Sequence, residues 1–120
     1  MLIAVTAKSC DPDSEVDPRF ARAQCFHIID TETGEFEVID NTENLNAMHG
    51  AGIQTSELIA NHKVETVLTG HCGPRAFQTL GAAGIKIVTG VEGKVKDVVE
   101  KFKEGQYKYS SSPDVQSHWG

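Results

Sequence analysis

The sequence lacks long apolar runs and an excess of basic residues. No hydrophobic segment approaches the roughly 20 residues that cross a bilayer. The opening run Met1–Thr6 is too short for the apolar core of a signal peptide and has no basic start. Across 120 residues, 11 Lys and Arg face 17 Asp and Glu, which gives a net charge of −6. We therefore expect a cytoplasmic protein with neither a nucleic acid nor a membrane as its main partner.

Cysteine is also scarce. The three cysteines, Cys10, Cys25 and Cys72, are odd in number and widely spaced, and no two of them form a CxxC pair. In a reducing compartment this pattern predicts thiols and not a disulfide framework.

Several catalytic and nucleotide-binding motifs are absent. There is no GxxxxGK[ST] phosphate loop and no GxSxG turn around a serine nucleophile. The stretch Gly50–Gly52 lacks the third glycine and the preceding buried strand of a dinucleotide site. Asp30 and Asp40 have no convincing third carboxylate for a two-metal nuclease. We expect no catalytic residues and a protein that is not an enzyme.

The chain has the size and apolar content of one domain, with 39% hydrophobic residues. The predicted strands are Leu2–Val5, Cys25–Asp30, Glu35–Asp40, Glu65–Thr69 and Ile85–Val88. The predicted helices are Gly52–His62, one that begins at Pro74 and ends before Gly84, and one that carries Val95 to Phe102 and ends at Gly105. Residues 1–105 form the predicted domain, and residues 106–120 are predicted to be a mobile tail.

Strands that alternate with helices predict an α/β fold with a parallel sheet, and the short connection at 31–34 adds an antiparallel hairpin. The simplest arrangement is a five-stranded mixed sheet in the order 3-2-1-4-5, with strand 2 antiparallel. Ligands of such sheets bind beyond the carboxyl ends of the strands where the strand order reverses, which here lies between strands 1 and 4.

This placement gathers soft donor side chains at one edge of the sheet. The predicted metal ligands are Cys72, His49, His71 and Cys10. Thiolate and imidazole ligands suit iron–sulfur species, zinc or copper better than magnesium. Each side chain also has a structural alternative, since Cys72 could fill space, His71 could hydrogen-bond the turn, and Cys10 lies in a proline- and aspartate-rich loop.

Two helices begin at the same edge, and their N-termini favour negative charge. Backbone contacts to an anion are predicted at Gly50, Gly52, Gly70 and Gly73, with Arg22 or Lys8 to offset its charge. Together with the soft donors, these groups indicate a metal species of net negative charge.

Five segments together resemble a known family. They are Ile3–Thr6, Asp17–Ala23, His49–Gln54, Leu68–Phe77 and Ala83–Ile87. They resemble the dinitrogenase iron–molybdenum cofactor biosynthesis family, which includes NifX, NafY and the C-terminal domain of NifB. The resemblance covers about residues 1 to 105. The family usually has glycine where this chain has Ala21.

The resemblance implies a ribonuclease H-like motif, with a five-stranded mixed sheet and helices on both faces. It also implies a small, non-catalytic carrier or chaperone that binds an iron–sulfur or iron–molybdenum-type cluster and exchanges it with cluster donor and acceptor proteins. Cluster ligands are not uniform in the family, so no complete ligand set is transferred from it. His49, His71 and Cys72 are nominated because they lie both in the matched segments and at the predicted edge.

Two other functions stay open. The same helix starts could serve a small-anion or nucleotide-binding regulatory module without metal. A nuclease of the ribonuclease H type is suggested only by shared architecture, which is weak support for function.

Overall fold

The computed structural model describes residues 1–45 and 51–113 of the chain. Its strands are β1 Leu2–Ala7, β2 Cys25–Asp30, β3 Phe36–Asp40, β4 Thr66–Leu68 and β5 Lys86–Val88. Its helices are α1 Thr42–Leu45, α2 Ala51–Asn61, α3 Pro74–Ala82 and α4 Val95–Lys103. None of the described helices is long and apolar enough to cross a membrane.

The strands form one mixed sheet in the order β3-β2-β1-β4-β5. β2 is antiparallel to both β1 and β3, whereas β1, β4 and β5 are parallel. The predicted strand order and the antiparallel strand 2 are confirmed. The short helix α1 was not predicted, because four residues carry no helical periodicity. The ribonuclease H-like label stays a prediction.

Alternate residues of the strands build two separate cores on the two faces of the sheet. Ala4, Ile28 and Val67 pack with α2 and α3 through residues such as Ile59 and Leu80. On the other face, the neighbouring strand residues pack against α4. These are Ile3, Val5, Ile29, Leu68 and Val88. Helices therefore cover both faces, and we call them the α2/α3 face and the α4 face.

The segment predicted as a mobile tail begins with residues that contact the sheet. The Ser110 N–H donates to the Ile87 carbonyl oxygen at 2.7 Å, and the Ser110 hydroxyl bonds that of Thr89. Tyr107 packs against the core on the α4 face, and the Lys86 ammonium lies 4.8 Å from the centre of the Tyr109 ring. A boundary at residue 105 thus leaves out residues that cover the outer edge of β5. The mobility of residues 106–120 stays a prediction.

The carboxyl ends of β1 and β4 are crossed by the long loop that follows β1. The Asp17 N–H donates to the Thr6 carbonyl oxygen, and the His71 N–H donates to the Pro18 carbonyl oxygen at 2.6 Å. A Cβ atom on Gly70 would lie 2.7 Å from both the Cα and the carbonyl oxygen of Pro18. Only glycine allows this approach of two backbones.

We expect Gly70→Ala to lower the free energy of unfolding by about 1–3 kcal/mol, because the added methyl group must push the Pro18 backbone away. The matched control is Gly81→Ala in α3, where a Cβ meets no described atom within 4 Å. That change should stabilise the helix by about 0.5–1 kcal/mol. Urea unfolding of both variants measures the difference, and equal stabilities would contradict the close approach.

Candidate functional site

A polar cluster lies where the strand order reverses. Thr6 and Thr69 follow the apolar parts of β1 and β4, and both are buried. The Thr6 hydroxyl donates to the Asp17 carbonyl oxygen at 2.7 Å and lies 3.1 Å from the Thr69 hydroxyl oxygen. These threonines were not predicted as site residues, although their position directly after two apolar runs was a usable signal. They fasten the loop segment 17–20 onto the strand ends.

The turn after β4 runs beside this loop segment. A single β-bridge pairs Arg19 with His71, and the Phe20 N–H donates to the His71 carbonyl oxygen. His71 is half-buried and Arg19 is exposed. The backbone of His71 is therefore fixed on both sides, and the residue as a whole is only half-buried.

Cys72 is the next residue and is 0% exposed. Its side chain belongs to the core on the α2/α3 face, together with Phe20, Ala51 and Ala76. Gly73 and Pro74 follow, so Cys72 lies directly before the N-terminus of α3. Gly73 caps α3 without a side-chain hydrogen bond, which leaves the positive end of the helix dipole beside Cys72.

A buried asparagine holds the loop against the start of the helices. The Asn41 amide donates to the carbonyl oxygens of Ala21 and Ala23, and its own oxygen accepts from the Thr55 hydroxyl in α2. The Ser56 hydroxyl donates to the Gly52 carbonyl oxygen at 2.6 Å. Buried polar groups therefore connect the 17–23 loop to α2 near the carboxyl edge of the sheet.

The expectation of three thiols is wrong, because Cys10 and Cys25 form a disulfide. Ala7 pairs with Cys25 in the sheet, and the chain then turns so that the Cα atoms of Cys10 and Cys25 are 5.4 Å apart. Both sulfurs lie at the core of the α4 face. In this state Cys10 offers no thiolate, so its nomination as a metal ligand together with Cys72 is not supported.

The other nominated residues are divided between described and undescribed parts of the chain. His49 and Gly50 lie outside the described residues. Gly52 is the second residue of α2, and its carbonyl oxygen accepts the Ser56 hydroxyl. Lys8 is exposed, with its Nζ 4.0 Å from a carboxylate oxygen of Glu15. Arg22 is half-buried in the loop beside Cys72.

The three arginines of the chain were only partly recognised from the sequence. Arg19 is bridged to His71, Arg22 follows it in the same loop, and Arg75 lies in the first turn of α3. All three therefore lie in the two segments that meet at Cys72. Within residues 1–45 and 51–113, no three His, Cys, Asp or Glu side chains are arranged to hold a metal ion.

Comparison with known proteins identifies the family. The model for "dinitrogenase iron-molybdenum cofactor" matches residues 1–105. The chain belongs to this family. The predicted membership is thus confirmed, and the matched range includes Cys72, the loop that crosses the strand ends and the starts of α2 and α3.

Three relatives illustrate the likeness. The apo form of the orange protein from Desulfovibrio gigas has a TM-score of 0.92 and 41% identity, with 95% of this chain and 96% of that chain covered. A Thermotoga protein, named as a candidate NifB protein of the DUF35 family, has a TM-score of 0.82 and 33% identity, with coverage of 95% and 97%. An uncharacterized protein of Methanocaldococcus jannaschii is 31% identical over 97 residues, which cover 78% of this chain and 81% of the relative.

Histidine 27 is buried beneath the loop that carries the disulfide. Its Nε2–H donates to the Ser9 carbonyl oxygen at 3.0 Å, so Nδ1 carries the lone pair of the neutral ring. Buried Nδ1 has no hydrogen-bond partner among the described residues. Burial lowers the pKa of His27, because a proton on Nδ1 would lack both water and an acceptor.

We expect reduction of the disulfide to destabilise the protein. The bond joins residues 15 positions apart, and closing a loop of that length is worth about 3 kcal/mol. Dithiothreitol should therefore lower the free energy of unfolding by about 2–3 kcal/mol. The double variant Cys10→Ser/Cys25→Ser should lose a similar amount and be insensitive to reductant, whereas Cys72→Ser should keep the sensitivity. Alkylation followed by mass spectrometry should label Cys10 and Cys25 only after reduction, and labelling beforehand would refute the disulfide.

Stability should also fall as the pH drops through about 6.5. The folded state lowers the pKa of His27, so below the ordinary value of 6.5 the unfolded chain binds the proton more readily. The contribution of neutral His27 is complete above pH 6.5 and is lost as the pH falls towards the folded-state pKa. Urea unfolding at a series of pH values should show a smaller slope for His27→Leu than for the parent. Equal slopes for His27→Leu and the parent would contradict the assignment.

Proposed function

We propose that this protein is a non-catalytic carrier or chaperone that binds an iron–sulfur or iron–molybdenum-type metallocluster as cargo. Proteins that donate and accept the cluster would be its partners, and the cytoplasm its location. The observation that carries the proposal is the position of Cys72. It is the cysteine outside the disulfide, it lies at the N-terminus of α3 beside the end of β4, and it falls within the family match.

The chemistry around Cys72 suits an anionic, sulfur-rich cargo. A thiolate is a soft ligand, and the adjacent His71 presents a half-buried imidazole of the kind that binds iron or copper. The α3 N-terminus and the guanidinium groups of Arg19, Arg22 and Arg75 supply positive charge in the same two segments. His49 is a further candidate ligand outside the described residues.

Burial sets a condition on this binding. Because the Cys72 side chain is fully buried, a cluster reaches its sulfur only if the groups that cover it move. His71 is accessible without such movement, so we expect the cargo to contact His71 first and Cys72 on closure.

The alternative is a small-anion or nucleotide-binding regulatory module that uses the same arginines and helix starts without metal. The polar cluster of Thr6 and Thr69 does not favour it, because both hydroxyls already bond within the protein. We therefore consider this function second to the carrier.

Anaerobic reconstitution with iron and sulfide, and separately with added molybdate, tests the proposal. Metal and sulfide retained after desalting should fall by about tenfold or more in Cys72→Ala, His71→Ala and His49→Ala, since even residues that only orient a metal ligand are typically worth that much. His62→Ala is the matched control, because His62 directly follows α2 and its ring bonds the Leu58 carbonyl oxygen. It should bind like the parent.

The outcomes separate the two functions. If Cys72→Ala and both histidine variants retain the cluster like the parent while circular dichroism shows a native fold, the placement at Cys72 is wrong. If the parent retains no metal but binds a phosphate compound, and Cys72→Ser binds it equally well, the anion-binding module is the better account.

A further inference from the structure

The two outer edges of the sheet differ. The edge at β5 is covered by the C-terminal segment, where the Ser110 N–H bonds the Ile87 carbonyl oxygen. The other edge is β3, Phe36–Asp40, which pairs only with β2 among the described residues. Unpaired strand edges are surfaces to which another extended chain can add.

The register shows which backbone groups of β3 face outwards. The Asp30 N–H donates to the Glu35 carbonyl oxygen, and the Asn41 N–H donates to the Gln24 carbonyl oxygen. In an antiparallel pair such bonds involve every second residue. The peptide groups of Phe36 and Val38, which lie between the bonded positions, are therefore directed away from β2 and towards the open edge.

The same two residues expose apolar side chains on one face of the sheet. Phe36 is 45% and Val38 40% exposed, and their partners across β2 are Ile29 and His27, which lie on the α4 face. Phe36 also lines a largely apolar groove of about 470 Å³ between β3 and α4. Most of its lining is apolar, and Lys96 and Glu100 add one charge of each sign; the apolar residues are Pro12, Ile29, Phe36, Val95 and Val99.

Negative charge is concentrated around this edge. From residue 23 to residue 45 the chain contains no Lys or Arg and six carboxylates, which are Asp30, Glu32, Glu35, Glu37, Asp40 and Glu43. Glu35 and Glu37 alternate with Phe36 and Val38, so they project on the opposite face of the strand, and both are exposed. The edge thus has an apolar face and an acidic face.

We propose that the β3 edge binds an extended segment of a basic partner protein, in which apolar residues alternate with Lys or Arg. Such a segment would pair its backbone with Phe36 and Val38. It would place its apolar side chains beside them and the groove, and its basic side chains beside Glu35 and Glu37. A second copy of this chain is disfavoured, because two acidic strands would place like charges opposite each other. This proposal does not depend on the identity of the cargo.

Exposed charges also protect edge strands against self-association. Carboxylates that repel a second β3 also attract Lys and Arg, so charge alone does not distinguish this protective role from partner binding. Backbone pairing does distinguish them, because only strand addition requires the outward N–H of Val38.

The test uses the full chain and a fluorescein-labelled seven-residue peptide that alternates lysine and valine. Fluorescence anisotropy at low salt should show binding about tenfold or more tighter than for the same peptide with glutamate in place of lysine. Binding should weaken as salt is added. Amide chemical-shift changes should centre on residues 35–40.

Two variants separate charge from backbone pairing. Glu35→Lys/Glu37→Lys should weaken binding of the lysine peptide by about tenfold or more, whereas the control Glu57→Lys/Glu92→Lys, with the same change in net charge, should stay within about twofold. Val38→Pro should also weaken binding by about tenfold, because it removes an outward N–H while an edge position tolerates proline.

The proposal would be overturned if the lysine peptide bound equally well to Glu35→Lys/Glu37→Lys and to Glu57→Lys/Glu92→Lys. It would also be overturned if the chemical-shift changes were confined to residues outside 35–40. Concentration-dependent dimers that Val38→Pro abolishes would also overturn it, in favour of a second copy at this edge.

Discussion

The contact between the Pro18 and His71 backbones is the constraint on which the site depends. The His71 N–H and the Pro18 carbonyl oxygen are 2.6 Å apart, and the absence of a Cβ at Gly70 permits that distance. This contact holds the loop over the ends of β1 and β4, which is the place where open sheets bind ligands. The loop in turn pairs Arg19 with His71, three residues before α3 begins, and Arg22 follows in the same loop. The position of His71 next to Cys72, and the positive charge of Arg19 and Arg22 in the facing loop, thus depend on the close approach of the Pro18 and His71 backbones.

The sheet separates the free cysteine from the two cysteines of the disulfide. All three lie near the carboxyl edge of β1, yet Cys72 packs on the α2/α3 face and the Cys10–Cys25 disulfide on the α4 face. Cys10 follows β1 by three residues, and Cys25 begins the strand paired with β1, so the antiparallel register brings them together. A disulfide is unusual in the reducing cytoplasm, so the Cys10–Cys25 bond and the predicted cytoplasmic location point in different directions.

The sequence allowed the strand order to be predicted because periodicity and connection length limit the possible sheets. The convergence of the 17–23 loop and the 71–75 turn followed from that order. The strand order did not predict the side of the sheet on which each cysteine lies. The loop of 17 residues from Lys8 to Gln24 has no hydrophobic periodicity from which its path could be derived. Position alone also could not distinguish Gly70, whose role is contact with Pro18, from a glycine that presents its N–H to an anion. Burial of Cys72 depends on packing by Phe20 and Ala51, which are distant in sequence.

Charge is as unevenly distributed as the cysteines are. The three arginines lie in the segments around Cys72, whereas the stretch from residue 23 to residue 45 has carboxylates and no Lys or Arg. An anionic cargo is attracted to the first region and repelled by the second, and a basic protein segment has the opposite preference. Because the β3 edge and the start of α3 are different surfaces, both could be bound at once. The proposed carrier function requires this property, since a carrier must contact a partner while the cargo is still in place.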